Sequence, residues 1–116
     1  MKSILPAICL LIFPCLVFSA ENQAENILRH QRDSGGWPKN YDRESGRSEA
    51  EKKKLQDKKS TEDTTFDNGA THTEIRHLAK AFLKTGDQRY RKATLKGIEF
   101  MLEAQYANGG WPQRFP

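Results

Sequence analysis

The tetrapeptide Gly-Gly-Trp-Pro occurs twice, in QRDSGGWPKNYD at 31–42 and in QYANGGWPQRFP at 105–116. Gln31 and Gln105 precede it at the same distance, so Trp37 and Trp111 stand 74 residues apart in a chain of 116. Each copy follows a stretch with helical spacing. Two glycines allow the chain to leave a helix with positive φ, and the proline fixes the exit direction. Such a repeat predicts helix pairs that end in equivalent loops, one beside the next. Pairs arranged this way form a ring, an α/α toroid, with the loops on a common rim. Two units do not close a ring, so the expected identity of 21–116 is the N-terminal part of a larger domain.

The first twenty residues stand apart. Met1-Lys2 is a short positive start, and Ile4 to Phe18 is apolar but broken by Pro6 and Pro14. Small residues follow at Ser19 and Ala20. This predicts a secretory signal over 1–20, too short and too proline-broken for a membrane span. Lipoprotein cleavage before Cys15 is the weaker alternative, because Pro14 is a poor neighbour for it. The expected location is therefore periplasmic or extracellular, and no membrane contact is expected after signal removal. Cys9 and Cys15 both lie in this segment. The remainder can have no disulfide framework, thiolate metal site or thiol nucleophile. Its stability must come from an apolar core, which is hard to build in roughly 96 residues.

Three helices are expected after the signal. Ala24 to Gln31 carries Ala24, Ile27 and Leu28 on one side. A second helix over about Gly69 to Lys84 has Thr71, Ile75, Leu78, Ala79 and Phe82 on one face. Gly86 ends it, and Asp87 caps a third helix that runs to about Gln105. The buried stripe of that helix is Tyr90, Ala93, Gly97, Phe100, Met101 and Ala104. Gly97 costs helix propensity, which points to close helix contact. Thr85-Gly86-Asp87 is then the turn of an antiparallel αα-hairpin. No stretch alternates long enough for a strand, so the fold class is all-α.

Arg43 to Asp63 differs from the rest, with Leu55 its only large apolar residue. A helix after Ser48 is one reading, and a solvated loop with a helical turn is the preferred one. Lysines here are interrupted by acids and lack interleaved aromatics, which excludes a nucleic-acid tail. Lys and Arg number 19 against 15 Asp and Glu. Without Lys2 there are 18 cations against 15 anions, a balance of +3 that suits an anionic partner or a plain soluble surface.

Phosphate loops of the form G-x-x-x-x-G-K and G-x-S-x-G elbows do not occur after the signal. His72 and His77 fall on different helix faces, so with His30 they suggest no metal site. Asp67 in Asp-Asn-Gly-Ala-Thr reads first as a helix N-cap, and Thr71 with Glu74 as a capping box. Lys39 reads as a solvated lysine or an anion contact beside Trp37. Both tryptophans read as packing between helices rather than as sugar platforms.

GGWPKN followed by DNGAT about thirty residues later resembles the pectate lyases of polysaccharide lyase family 10. The resemblance covers Ile27 to Asp42 and Phe66 to Pro116. It implies an (α/α)3 toroid that cleaves polygalacturonate by calcium-dependent β-elimination and acts as a monomer when complete. It further implies Asp67 as a calcium ligand and Lys39, Asn68 and Thr71 as substrate contacts. His72 departs from the family pattern, which more often has Thr there. The catalytic arginine is expected beyond Pro116, since none of Arg76, Arg89, Arg91 or Arg114 lies in a matching motif. The chain alone is thus expected to be inactive. KGIEFMLEAQYANGGW also resembles the Gln-Trp repeat of terpenoid cyclases, another toroid family. A non-catalytic glycan-binding protein is the third reading.

Overall fold

The computed structural model describes residues 22–116; the expected signal and its cysteines lie outside the described residues. Helix α1 covers 22–30. Helix α2 is Glu49–Asp57, α3 is His72–Thr85 and α4 is Gln88–Ala104. A short 3-10 turn, Asp67–Gly69, precedes α3. Among the described residues there is no strand, only an isolated antiparallel bridge between Thr65 and Arg114. The fold is all-α, as the apolar periodicity predicts.

Helices α3 and α4 form the hairpin. Gly86 closes α3 in the left-handed conformation (φ 72°), where a side chain would be strained. Asp87 then accepts the Arg89 N–H at 2.9 Å and caps α4. Of the predicted stripe of α4, Tyr90, Ala93, Gly97, Phe100 and Ala104 are buried, and Met101 is partly buried. On α3 the buried set is Ile75, Leu78 and, unexpectedly for an acid, Glu74.

Trp37 fills the space between α1 and this hairpin. It is 0 % exposed and packs with Ala24, Ile27, Ile75, Leu78, Tyr90 and Ala93. Burying an indole of this size is worth roughly 5 kcal/mol of transfer free energy. Gly97 admits it: a Cβ there would stand 2.7 Å from Ile75 Cγ1 and 3.1 Å from the Trp37 ring. The glycine exists for close approach, as its poor helix propensity suggests.

The two Gly-Gly-Trp-Pro loops share a set of local hydrogen bonds. Trp37 Nε1 donates to Ile27 O at 2.7 Å, and Trp111 Nε1 to Met101 O at 2.8 Å, each ten residues upstream. Gln31 Nε2 donates to Gly35 O at 3.0 Å, and Gln105 Nε2 to Gly109 O at 2.9 Å. Gly35 N reaches Arg32 O and Gly109 N reaches Tyr106 O, both at 2.9 Å. Gly35 and Gly109 both have positive φ. The copies differ in burial. Trp111 stays 43 % exposed, touching Phe66 at the edge of a cluster with Phe100 and Phe115. Leu95, Ile98 and Leu102 on α4 are exposed as well.

The charged segment departs from its preferred reading as a solvated loop. Ser48 and Glu51 form a full capping box at the start of α2. The segment is also tied down at both ends. Buried Asn26 donates to Arg43 O and Ser45 O, at 2.9 and 2.6 Å. Lys59 Nζ caps the end of α1 by donating to Leu28 O and Gln31 O, each at 3.0 Å. Arg32 grips Asp63 through two bonds of 2.7 and 2.9 Å. Long-range partners of this kind leave no trace in local composition.

Gly97→Val should lower stability by about 1–3 kcal/mol through overpacking, although valine is the better helix former. Chemical denaturation of the complete protein measures this. Unchanged or raised stability would show that the α4 approach is not close.

Candidate functional site

Two segments carry the residues singled out in the sequence, and the fold brings them together. The first is the loop Trp37 to Tyr41, held at its start by the buried indole. The second runs from Thr64 through the Asp67 turn to the first residue of α3. Thr65 N donates to Trp37 O at 3.1 Å, so the segments lie side by side. The second Gly-Gly-Trp-Pro loop docks on the far side. Phe66 N donates to Gln113 O at 2.9 Å, and Thr65 Oγ1 to the same oxygen at 2.5 Å. Residues 64–66 are thus sandwiched between the two repeats.

Asp67 does not cap a helix. It opens the 3-10 turn after Phe66, and Thr71 is the residue at the N-cap of α3. The Asp67 carboxylate instead forms an ion pair with Lys39 through Oδ2. Gln113 Nε2 donates to the same oxygen at 3.2 Å. A shift of 74 residues maps Lys39 onto Gln113, so both repeats deliver the residue two places after tryptophan to one carboxylate oxygen. Both side-chain donors fall on Oδ2, and among the described residues no side chain donates to Asp67 Oδ1. Gln113 was not singled out from the sequence, but the repeat frame pointed at it.

Asn68 stands beside Asp67 and donates through Nδ2 to Asn40 Oδ1 at 3.3 Å. Thr71 sits deeper. It is 0 % exposed, and its hydroxyl accepts from Trp37 N at 3.1 Å and donates to Thr65 O at 2.9 Å. The expected substrate contact at Thr71 therefore has no surface to make it. Its position ties the two segments to each other. His72, the departure from the family pattern, is only partly exposed at the start of α3, with Nδ1 at 3.4 Å from Arg76.

Backbone strain collects at the same place. Among the described residues, three non-glycine residues have positive φ: Asn40 (61°), Asn68 (53°) and Thr71 (73°). Asparagine tolerates this conformation, whereas a β-branched threonine does so only under constraint. Thr71, with ψ −64°, is the centre of a γ-turn in which His72 N donates to Ala70 O at 3.0 Å. Such outliers persist only where their surroundings over-determine them, and they gather at functional sites.

The surface formed is a cleft of about 220 Å³ lined by Pro38, Lys39, Asp63, Thr65, Gln113 and Arg114. Lys39 from the first repeat and Arg114 from the second give it two cations. Asp63 is committed to Arg32. Asp67 stands next to this lining, bonded to its members Lys39 and Gln113. The lining holds two cations, an amide and a paired acid, and with the Asp67 carboxylate next to it this composition suits a carboxylate-bearing ligand together with a cation.

The hydrogen bond from Lys39, with that from Gln113, holds the Asp67 carboxyl below its ordinary value. A depressed carboxyl favours the folded state above its unfolded pKa, and this contribution is lost as pH falls through the folded value. In Lys39→Met the Asp67 carboxyl should titrate higher than in wild type, by NMR pH titration of the side-chain carbon. An unchanged midpoint would mean that the ion pair does not form in solution.

Comparison with known proteins bears on this arrangement. Residues 31–116 match the pectic acid lyase family. A family 10 polysaccharide lyase from Cellvibrio cellulosa is similar over 84 % of this chain, at 35 % identity with a TM-score of 0.65. A single-residue mutant of a family 10 polysaccharide lyase from that organism, in complex with trigalacturonic acid, is similar over the same share at 34 % identity, with a TM-score of 0.66. This chain spans 28 % of the length of each. No curated protein matches it. The family match includes both Gly-Gly-Trp-Pro loops, the Asp67 turn and the helix hairpin, and the chain belongs to the pectic acid lyase family.

Proposed function

We propose that this chain forms the substrate- and calcium-facing rim of an exported pectate lyase that cleaves polygalacturonate by β-elimination. The observation that carries the reading is the state of Asp67. Its carboxylate is released from capping, held on the rim by both repeats, and left with one oxygen that no side chain engages. Binding of trigalacturonic acid by a similar lyase supports an acidic polysaccharide as the substrate.

The chemistry explains the residue types. In β-elimination a base removes the C5 proton of a uronate, the C4–O4 bond breaks, and a C4–C5 double bond forms. The C5 proton is hard to remove while the adjacent carboxylate keeps its full charge. Calcium, when bound, supplies neutralisation of that charge. The residues here fit one part of its shell, since calcium takes six to eight oxygen ligands, mostly carboxylates and carbonyls. Asp67 Oδ1 is such an oxygen. Among the described residues no cluster of three acids or histidines stands ready as a complete metal site. Substrate carboxylates and other parts of the complete enzyme are the further donors on this reading. Lys39 pairs with a uronate carboxylate as the substrate enters, exchanging one carboxylate partner for another. Asn68 orients the sugar through its amide oxygen, since its nitrogen donates to Asn40. The base is the arginine that the family resemblance locates past Pro116.

In the complete protein, Asp67→Asn should lower turnover of polygalacturonate by roughly a hundredfold or more, the usual scale for removing one electrostatic stabiliser of a transition state. The melting temperature should change little, because Asp67 caps no helix. The assay is absorbance of the unsaturated product with calcium varied. Near wild-type turnover at limiting calcium would remove Asp67 from the site. Export is tested separately: secreted material should begin at Ala20 or Glu21 by mass spectrometry, and a species retaining Lys2 or carrying lipid on Cys15 contradicts it.

A further inference from the structure

Glu74 is the one fully buried carboxylate among the described residues, and the chemistry proposed above does not use it. Four donors converge on it. Thr71 N donates to Oε1 at 2.9 Å. Oε2 accepts from Tyr41 Oη at 3.0 Å and from Arg43 Nε at 2.7 Å, and Arg43 Nη2 stands 2.5 Å from it in an ion pair. Tyr41 is held in turn by the His30 ring, stacked on it at 3.9 Å.

The positions of these donors matter more than their number. Trp37 N is pinned by the Thr71 hydroxyl, while Tyr41 and Arg43 are pinned by Glu74. Lys39 and the strained Asn40 lie on the span between those anchors. On the other segment, Thr65 O is pinned by the Thr71 hydroxyl, and Thr71 N by Glu74. Asp67 and the strained Asn68 lie on that span. Both members of the Lys39–Asp67 pair are therefore carried on short bridges whose four ends meet at Thr71 and Glu74. A helix cap would need only the Thr71 N–H. The further bonds to Tyr41 and Arg43 serve the opposite loop, which belongs to no helix.

We propose that Glu74 is a positioning residue: acting through Thr71, Tyr41 and Arg43, it holds the two segments at the separation that brings Lys39 and Asp67 together. The proposal rests on the lyase reading only for its kinetic consequences. The geometry stands without it.

Two readouts on the complete protein test it. The first is amide hydrogen exchange. Glu74→Ala removes the acceptor of Thr71 N, and Thr71→Val removes the acceptor of Trp37 N. Each should lower protection of the named amide by about tenfold or more, while the amides around Leu78 keep theirs. Thr71→Ser retains the hydroxyl and should restore protection at Trp37. Retained protection in Thr71→Val and Glu74→Ala overturns the proposal, whatever reaction the protein catalyses. The second readout is turnover of polygalacturonate. Small misplacement of a reacting group costs up to about a hundredfold, so kcat per folded molecule should fall at least about tenfold in both variants, with KM changed less. Leu78→Val, a core change elsewhere on α3, should keep kcat per folded molecule. In the Asp67→Asn background, Thr71→Val should add little further loss, because both act through one constellation. Full additivity with Asp67→Asn, or an equal kcat loss in Leu78→Val, would make Glu74 and Thr71 merely structural. A wild-type protein that does not cleave polygalacturonate sinks the lyase reading and leaves the exchange measurement to decide the positioning role. If Glu74→Ala does not fold, Thr71→Val and Thr71→Ser carry both readouts.

Discussion

Burial of Trp37 is the constraint on which the rest depends. The indole cannot be enclosed without Gly97 on α4, and its N–H cannot be buried without the Ile27 carbonyl of α1. An unpaired donor in that position would cost as much as a lost hydrogen bond. One residue therefore sets the distance between α1 and the hairpin. It also sets where the following loop emerges, two residues before Lys39. The site inherits its position from a packing event.

The second repeat shows what packing adds to a common local program. Trp111 makes the same bonds to its own upstream helix as Trp37 does, yet it stays partly exposed. Local sequence is enough to form the loop. A neighbouring helix pair is needed to bury its tryptophan. The loops nevertheless act together, because residues 64–66 run between them and Lys39 and Gln113 reach one carboxylate oxygen. An internal repeat thus becomes a two-sided holder for a single acidic group.

Charge is used in two ways in this chain. Exposed pairs along α2, such as Lys52 with Glu49, are of the kind that contributes a few tenths of a kcal/mol. Arg32–Asp63 and Arg43–Glu74 differ, since each has one partner almost wholly buried. Breaking a pair of that kind leaves an uncompensated charge in the interior, which costs about 3–5 kcal/mol. These pairs bracket the charged segment 43–63 and anchor it. A run of lysines and glutamates with one leucine gives no hint of this, because the anchoring partners lie just after α1 and on α3.

Much of the fold was legible in the sequence, for a local reason. The apolar spacing of α3 and α4, the left-handed Gly86, the Asp87 cap and the close approach at Gly97 are each decided within a few residues. So is the equivalence of the two tryptophan loops, which the 74-residue repeat states outright. Lys39, Asp67 and Asn68 could be singled out by motif resemblance, but not brought together. Their meeting depends on Thr65, Trp37 and Thr71 bonding across 34 residues of chain. The same tertiary bonds moved the helix cap from Asp67 to Thr71 and took Thr71 away from the surface. Glu74 closes the expected capping box with Thr71, and the tertiary bonds made it a buried hub as well. A cap is a contest among neighbours three residues apart, so sequence alone can only name the contestants. Here the winner was chosen by Lys39 and Gln113, which claim the Asp67 carboxylate from two loops that only the folded chain brings to the same rim.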